Sequence, residues 1–215
     1  MVGVFSAGSV TMFFAMKNPM ENFVPIIGIL DLQGDVIEHR RALEACGAIV
    51  ISVKTPEELA RVDGLVIPGG ESTTISKLLK WSGLWGALME RGQHGFPIYG
   101  TCAGAILLAK KVSGGQEVPT LGLMDIEVER NSYGRQLESF EGEVDMEGKP
   151  IPTVFIRAPR IKSIGQNVTV LAQCGPDVVL AQEGNLLVST FHPELTDDLT
   201  IHRKFLTMAA HAQSH

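Results

Sequence analysis

Cysteine is scarce in this chain. Cys46, Cys102 and Cys174 are the only three in 215 residues, an odd number with no CxxC pair. That leaves no disulfide framework, argues against a zinc site and points to a reducing compartment, the cytoplasm. Basic runs are also missing and the formal net charge is −6, which argues against a nucleic-acid partner. The apolar stretch from Met1 to Met16 is too short to span a bilayer as a helix, and no positive charge precedes it. It therefore suits neither a membrane span nor a signal peptide. No internal repeat, low-complexity tract or linker divides the chain. Residues 1–25 read as a loosely held N-terminal extension, with Met16 and Met20 available as later starts, and residues 26–215 as a single domain.

The first half alternates strand and helix patterns. Pro25–Leu32 is a near-continuous apolar run, as expected for a strand covered on both faces. Gln33-Gly34 turns it, Asp35 is placed to cap the following helix, and Gly47 ends that helix. Ala48–Val53 and Gly64–Ile67 read as strands, with a short helical turn capped by Thr55 between them. Two helical stretches, Thr73–Lys80 and Leu84–Arg91, precede a strand at Phe96–Thr101 and a helix reaching about Lys111. This order predicts a parallel sheet with helices on both faces, whose sites form at the carboxyl ends of the strands. From Leu123 to Thr190 short strand patterns punctuated by Gly, Pro and Asn predict an antiparallel extension of the sheet. A terminal helix opens at Asp197 or Asp198.

Gly100-Thr101-Cys102-Ala103-Gly104 is the thiol form of the nucleophile elbow, G-x-C-x-G, between a strand and a helix. The helix start aims free N–H groups at the sulfur, which should ease loss of its proton. A cysteine nucleophile needs a base and a group to orient that base. His192 follows an apolar strand, and Glu194, two residues on, can face the same way. Donors for an oxyanion are available at Ala103 N–H and in the Gly69-Gly70 loop. Cys46 and Cys174 read as small buried hydrophobes, and His39, His94, His202, His211 and His215 as structural or solvated. Trp81 and Trp85 read as core or interface residues.

Three stretches together resemble the triad-type (class I) glutamine amidotransferases: Gly100–Gly104, Pro68-Gly69-Gly70-Glu71-Ser72-Thr73-Thr74 and Phe191-His192-Pro193-Glu194-Leu195. Leu32-Gln33-Gly34, the run from Glu129 to Gln136 and Phe155-Ile156-Arg157-Ala158-Pro159 narrow the likeness. They make it similar to the glutaminase subunits of two-component pyridoxal 5′-phosphate synthases, from about Ile26 to the terminal helix. The resemblance implies a flavodoxin-like, three-layer α/β/α fold and hydrolysis of L-glutamine to L-glutamate and ammonia, with no cofactor and no metal. Cys102 would attack the side-chain amide, His192 would move the proton and Glu194 would orient His192. Substrate-binding positions carry over to Gly70, Glu71, Ser72, Arg130, Ile156 and Arg157. From its chemistry alone, Arg130 can grip the amino-acid carboxylate or pair with a structural glutamate.

The implied partner is a barrel-shaped synthase subunit in a large hetero-oligomer, which would take the ammonia, and Gln33 with the first helix would lie near it. Asp35 stands where bacterial members more often carry a small residue, a departure expected to touch partner contacts more than chemistry. The competing readings are an amidotransferase serving a different acceptor and a catalytically silent regulatory member of the fold. A Cys-dependent hydrolase or chaperone on a related fold is disfavoured by the combination of the glycine loop, Arg130 and the His-x-Glu pair.

Overall fold

The computed structural model describes residues 24–130 and 139–212. The readings placed on residues 1–23 and on Asn131–Gln136 therefore lie outside the described residues. Strands β1 (Ile26–Leu30), β2 (Ile49–Val53), β3 (Gly64–Ile67), β4 (Ile98–Thr101) and β12 (Leu186–Ser189) form the parallel part of a 10-stranded sheet, in the order β2-β1-β3-β4-β12. The sheet continues through β11 (Asp177–Glu183), β9 (Arg160–Ile164), β6 (Met124–Glu129) and β5 (Ala109–Ser113), with β10 (Thr169–Cys174) on the outer side of β11. The contacts β12–β11, β11–β9, β9–β6 and β11–β10 are antiparallel, while β5–β6 is parallel.

The apolar strands read as they do because both faces are covered. In β3, Leu65 and Ile67 enter one core and Val66 the other; in β12, Leu186 and Val188 are opposed to Leu187 in the same way. This is the period-2 alternation of a strand with a core on each side. The first core holds Leu59 of α2 (Pro56–Leu59), Ile75 and Leu79 of α3 (Ser72–Trp81), Leu84 and Leu88 of α4 (Leu84–Gln93) and most of α5 (Ala103–Leu108). The second holds Leu43 of α1 (Val36–Ala45) and Ile201, Phe205 and Met208 of α6 (Thr200–Ala212). The result is the α/β/α layering expected from the sequence.

Three local expectations change. The helix after the elbow stops at Leu108, and Ala109–Ser113 is strand β5, whose residues pair with β6. The strands β7 (Ser139–Met146) and β8 (Lys149–Ile156) do not extend the main sheet. They form a separate hairpin that packs Val144, Met146, Ile151 and Phe155 onto the α1/α6 face. Phe140 and Phe155 stack at 4.4 Å within it, and Phe155 meets Phe191 at 5.6 Å. Asp35 precedes α1 but makes no side-chain capping hydrogen bond. Thr55, by contrast, caps α2 through a reciprocal capping box with Glu58.

Candidate active site

The carboxyl ends of β1, β3, β4, β8 and β12 converge on one cavity of about 380 Å³. Gln33, Asp35, Gly70, Glu71, Ser72, Cys102, Arg130, Ile156, Arg157 and His192 are among the residues that line it.

At its base β4 turns abruptly into α5. Cys102 occupies the turn with φ 47° and ψ −99°, a conformation costly for a residue with a side chain. The flanking glycines make the turn possible. A Cβ on Gly104 would lie 2.2 Å from the Ile67 carbonyl oxygen, and one on Gly100 would lie 2.6 Å from the Gly104 carbonyl carbon. The helix can therefore lie directly on β3 and β4, and Cys102 N–H is pinned to Ser189 O of β12 at 2.8 Å. Cys102 is 8% exposed, and its Sγ sits 4.0 Å from the Ile156 carbonyl oxygen.

His192 follows β12, and its backbone N–H donates to Val154 O of the hairpin at 2.8 Å. Its Nδ1 meets Glu194 Oε1 at 2.8 Å. Glu194 is buried behind it in the 3-10 turn Pro193–Leu195. A second carboxylate, Asp35 Oδ2, lies 3.3 Å from the same nitrogen. Burial alone would lower the His192 pKa. Hydrogen bonds with Asp35, Cys102 and Glu194, and the Glu194 charge, outweigh it and push the value up to about 12. Burial raises Glu194, against the opposing hydrogen bond and charge of His192. With Nδ1 engaged by carboxylates, Nε2 is the ring nitrogen left for the thiol. Asp35, His192 and Glu194 also bring one donor atom each within 4.8 Å of one another. Sharing of the Nδ1 proton accounts for that closeness, and we assign no metal to it.

Gly69 is packed tightly between His192 and Asp35. A Cβ there would lie 2.4 Å from His192 Cε1 and 2.9 Å from Asp35 Oδ2. Asp35 N–H donates to Gly69 O at 3.3 Å, which fixes that peptide plane and sends Gly70 N–H the opposite way. Gln33 Oε1 accepts from Glu71 N–H at 2.8 Å, and a Cβ on Gly70 would lie 2.7 Å from that same oxygen. Gln33 is thus part of the cavity wall and braces the glycine loop.

Glu71 caps α3, accepting from Thr73 N–H at 3.0 Å, Thr74 N–H at 2.7 Å and Thr74 Oγ1 at 2.8 Å. Slight burial raises its pKa, but these hydrogen bonds prevail and bring it down to about 2. Arg130 Nη2 is 3.6 Å from Glu71 Oε1, while its Nη1 donates to Gln116 O at 2.9 Å. Of the alternatives open for Arg130, pairing with a structural glutamate is present, and the guanidinium still faces the cavity. Arg157, with φ 43°, follows β8 at the opposite wall.

Asp35 differs from its sequence reading, and two histidines gain a definite place. Asp35 does not cap α1, and its Oδ2 lies 3.3 Å from His192 Nδ1. His39 and His202 are neither solvated nor isolated: both are fully buried and lie 3.1 Å apart, Nδ1 to Nε2. The available signals were a carboxylate just past the end of β1, at the sheet edge where the other site residues lie, and a histidine four residues on, on the same helix face.

Chemically, a thiol on a strained turn, an imidazole beside it and a carboxylate on the far ring nitrogen can take up and return a proton during acyl transfer. Residues 29–211 match the model of the SNO glutamine amidotransferase family. The chain is 51% identical over 186 residues to a protein of Desulforamulus reducens named pyridoxal 5′-phosphate synthase subunit PdxT, covering 85% of this chain and 98% of that one. It is 53% identical over 185 residues to the protein of the same name from Thermotoga maritima, with the same shares of the two chains covered. A solved structure described as a glutamine amidotransferase superposes with a TM-score of 0.81 at 46% identity, over 85% of this chain and 98% of that one. PurLQS from Thermotoga maritima, at 15% identity and a TM-score of 0.65 over 90% of this chain, shares the fold. The chain belongs to the SNO glutamine amidotransferase family.

Proposed function

We propose that this chain is a glutaminase that hydrolyses L-glutamine to L-glutamate and ammonia, with Cys102 as nucleophile, His192 as base and acid and Glu194 as orienting group. The ammonia passes to a synthase subunit that makes pyridoxal 5′-phosphate. The observation that carries the reading is the Glu194–His192 hydrogen bond of 2.8 Å, on a ring that lines the same cavity as the elbow thiol.

The steps follow from these contacts. The proton of Sγ resides on His192 Nε2, as the raised basicity of that ring favours, and the sulfur attacks the side-chain amide carbon, forming the C–S bond. The oxyanion is taken by N–H groups of Ala103 and of the Gly69-Gly70 loop. His192 then returns the proton to the amide nitrogen, the C–N bond breaks and ammonia leaves. Water, deprotonated by His192, attacks the thioester, and release of glutamate restores the thiol. Glu194 holds the Nδ1 proton throughout and stabilises the imidazolium. Arg130 binds the α-carboxylate, and the ionised Glu71, 3.6 Å from it, is placed for the α-ammonium. Gly70, Ser72, Ile156 and Arg157 complete the walls of the cavity.

In this proposal the acceptor is a barrel-shaped subunit within a large hetero-oligomer in the cytoplasm, contacted near Gln33 and α1. Among the described residues no helix is long and apolar enough to cross a membrane. The test is glutamate release measured with and without a purified pyridoxal 5′-phosphate synthase subunit, for the wild-type chain and for Cys102→Ala. Activity that needs the thiol and rises with the synthase is expected. Unchanged turnover by Cys102→Ala would refute the mechanism, and no stimulation would favour a different acceptor.

A further inference from the structure

Behind Glu194 lies a second polar cluster. Glu194 Oε1 is occupied by His192, but Oε2 is buried without a hydrogen-bond partner of its own. His39 Nε2 lies 3.5 Å from it. His39 is fully buried on α1, and the same Nε2 lies 3.1 Å from Thr101 Oγ1, the residue before the nucleophile. Its Nδ1 lies 3.1 Å from His202 Nε2 of α6.

One protonation pattern turns a donor toward Glu194 Oε2. An ionised carboxylate only accepts, so His39 must turn an N–H, not a lone pair, toward Oε2. Nε2 then carries the proton and shares it between Thr101 and Glu194. Nδ1 is left as an acceptor, and His202 Nε2 must donate to it. The remaining His202 Nδ1 is a lone pair, and it is the His202 atom found buried without a partner. Every donor in the chain His202–His39–Glu194 therefore points toward the active site.

We propose that His39 is a positioning residue for glutamine hydrolysis, its Nε2–H fixing the free oxygen of Glu194 so that the carboxylate is held between two imidazoles. This rests on the glutaminase reading of Cys102, His192 and Glu194. The groups facing His39 are Glu194 and His192 from the loop after β12, His202 from α6, and Thr101 and the edge of Tyr99 from β4. Burial first, then the His202 and His192 charges, hold the His39 pKa well below its ordinary value. It therefore acts as a neutral donor. Burial likewise lowers His202, to about 4, despite Asp198.

The experiment uses the full chain with the purified synthase subunit and measures glutamate release against glutamine concentration and pH. The variants are His39→Gln, whose amide nitrogen reaches the place of Nε2, His39→Asn, whose amide reaches only that of Nδ1, and His39→Leu. The Gln variant should stay close to the wild-type rate. The Asn and Leu variants should lose roughly 10–100-fold in kcat, the scale on which outer partners of a site histidine act. Their KM for glutamine should be unchanged. Their acid limb should move to higher pH, because Glu194 without its donor protonates more readily. Equal loss in all three variants, or loss without movement of the acid limb, would reduce His39 to a packing residue. A second readout does not depend on turnover: ¹⁵N spectra of wild-type imidazoles should show His39 neutral and protonated on Nε2. An Nδ1–H tautomer would overturn the proposal whatever the variants do. An inactive wild-type chain with synthase present would instead remove the glutaminase reading and leave the tautomer result to judge the cluster.

Discussion

Asp35→Asn removes one negative charge from the environment of His192 and leaves an oxygen able to accept from Nδ1–H. Opposite unit charges at the observed 3.3 Å attract by about 1 kcal/mol in water and about 5 kcal/mol in a medium of intermediate dielectric. The Asp35 side chain is 38% exposed, so the aqueous end of that range applies. The expected loss is about 1–2 kcal/mol, or about one pKa unit at His192. The sign follows from the direction of the shift. His192 is raised from 6.5 to about 12, so its contribution to stability is present in full below 6.5 and disappears as the pH rises toward 12. Asp35→Asn should therefore be less stable than wild type at neutral pH, and the gap should close as the imidazolium loses its proton at alkaline pH. Urea unfolding at neutral and alkaline pH reads the first effect. A ¹⁵N titration of the His192 ring reads the second, which should begin about one unit lower in the variant. Equal stability at neutral pH together with an unmoved His192 titration would refute the assignment of Asp35 to the base.

Two other perturbations test how the site is built. Gly104→Ala puts a methyl group 2.2 Å from the Ile67 carbonyl, and should cost about 1–3 kcal/mol or prevent folding, read by urea denaturation. Wild-type stability would mean that α5 does not lie on β3 as described. Glu71→Ala removes the cap of α3 and should cost about 1 kcal/mol at neutral pH. Because Glu71 is held down at about 2, that contribution is present above its ordinary 4.5 and fades as the pH falls toward 2. The variant and wild type should converge in acid, and a constant difference would argue against the carboxylate as the cap.

How much of this was legible in the sequence depends on the range of the forces involved. The elbow was legible because its demands are local: Gly100 and Gly104 are needed by atoms of adjacent strands and of the turn itself. The strands β1, β3, β4 and β12 were legible because burial on both faces leaves a continuous apolar run. Strand β5 was not, because Ala109–Ser113 prolongs the pattern of α5 and becomes strand only by pairing with β6. The hairpin β7–β8 looks like any alternating pair, and the packing of Phe155 against Phe191 is what detaches it from the main sheet. The roles of Asp35 and His39 were hidden for the same reason, since their partners are 157 and 155 positions away in the chain.

Those two residues share more than distance from their partners. Gln33, Asp35 and His39 lie on one short segment that runs from the end of β1 into α1. Along it, Gln33 braces the glycine loop through Glu71 N–H, Asp35 meets the base, and His39 faces the group that orients the base. His39 N–H also donates to Asp35 O at 3.3 Å, so the latter two are rungs of one helical turn. The spacing is dictated by geometry: residues four apart lie on one helix face, about 5–6 Å apart. That matches the need to reach opposite ends of a histidine–carboxylate pair. The elbow presents the Cys102 thiol, but its surroundings are set by an element whose sequence is adjacent to neither Cys102 nor His192. A shift of α1 along its axis would move the loop brace, the second carboxylate and the Glu194 donor together. The three contacts therefore act as a single constraint on the site.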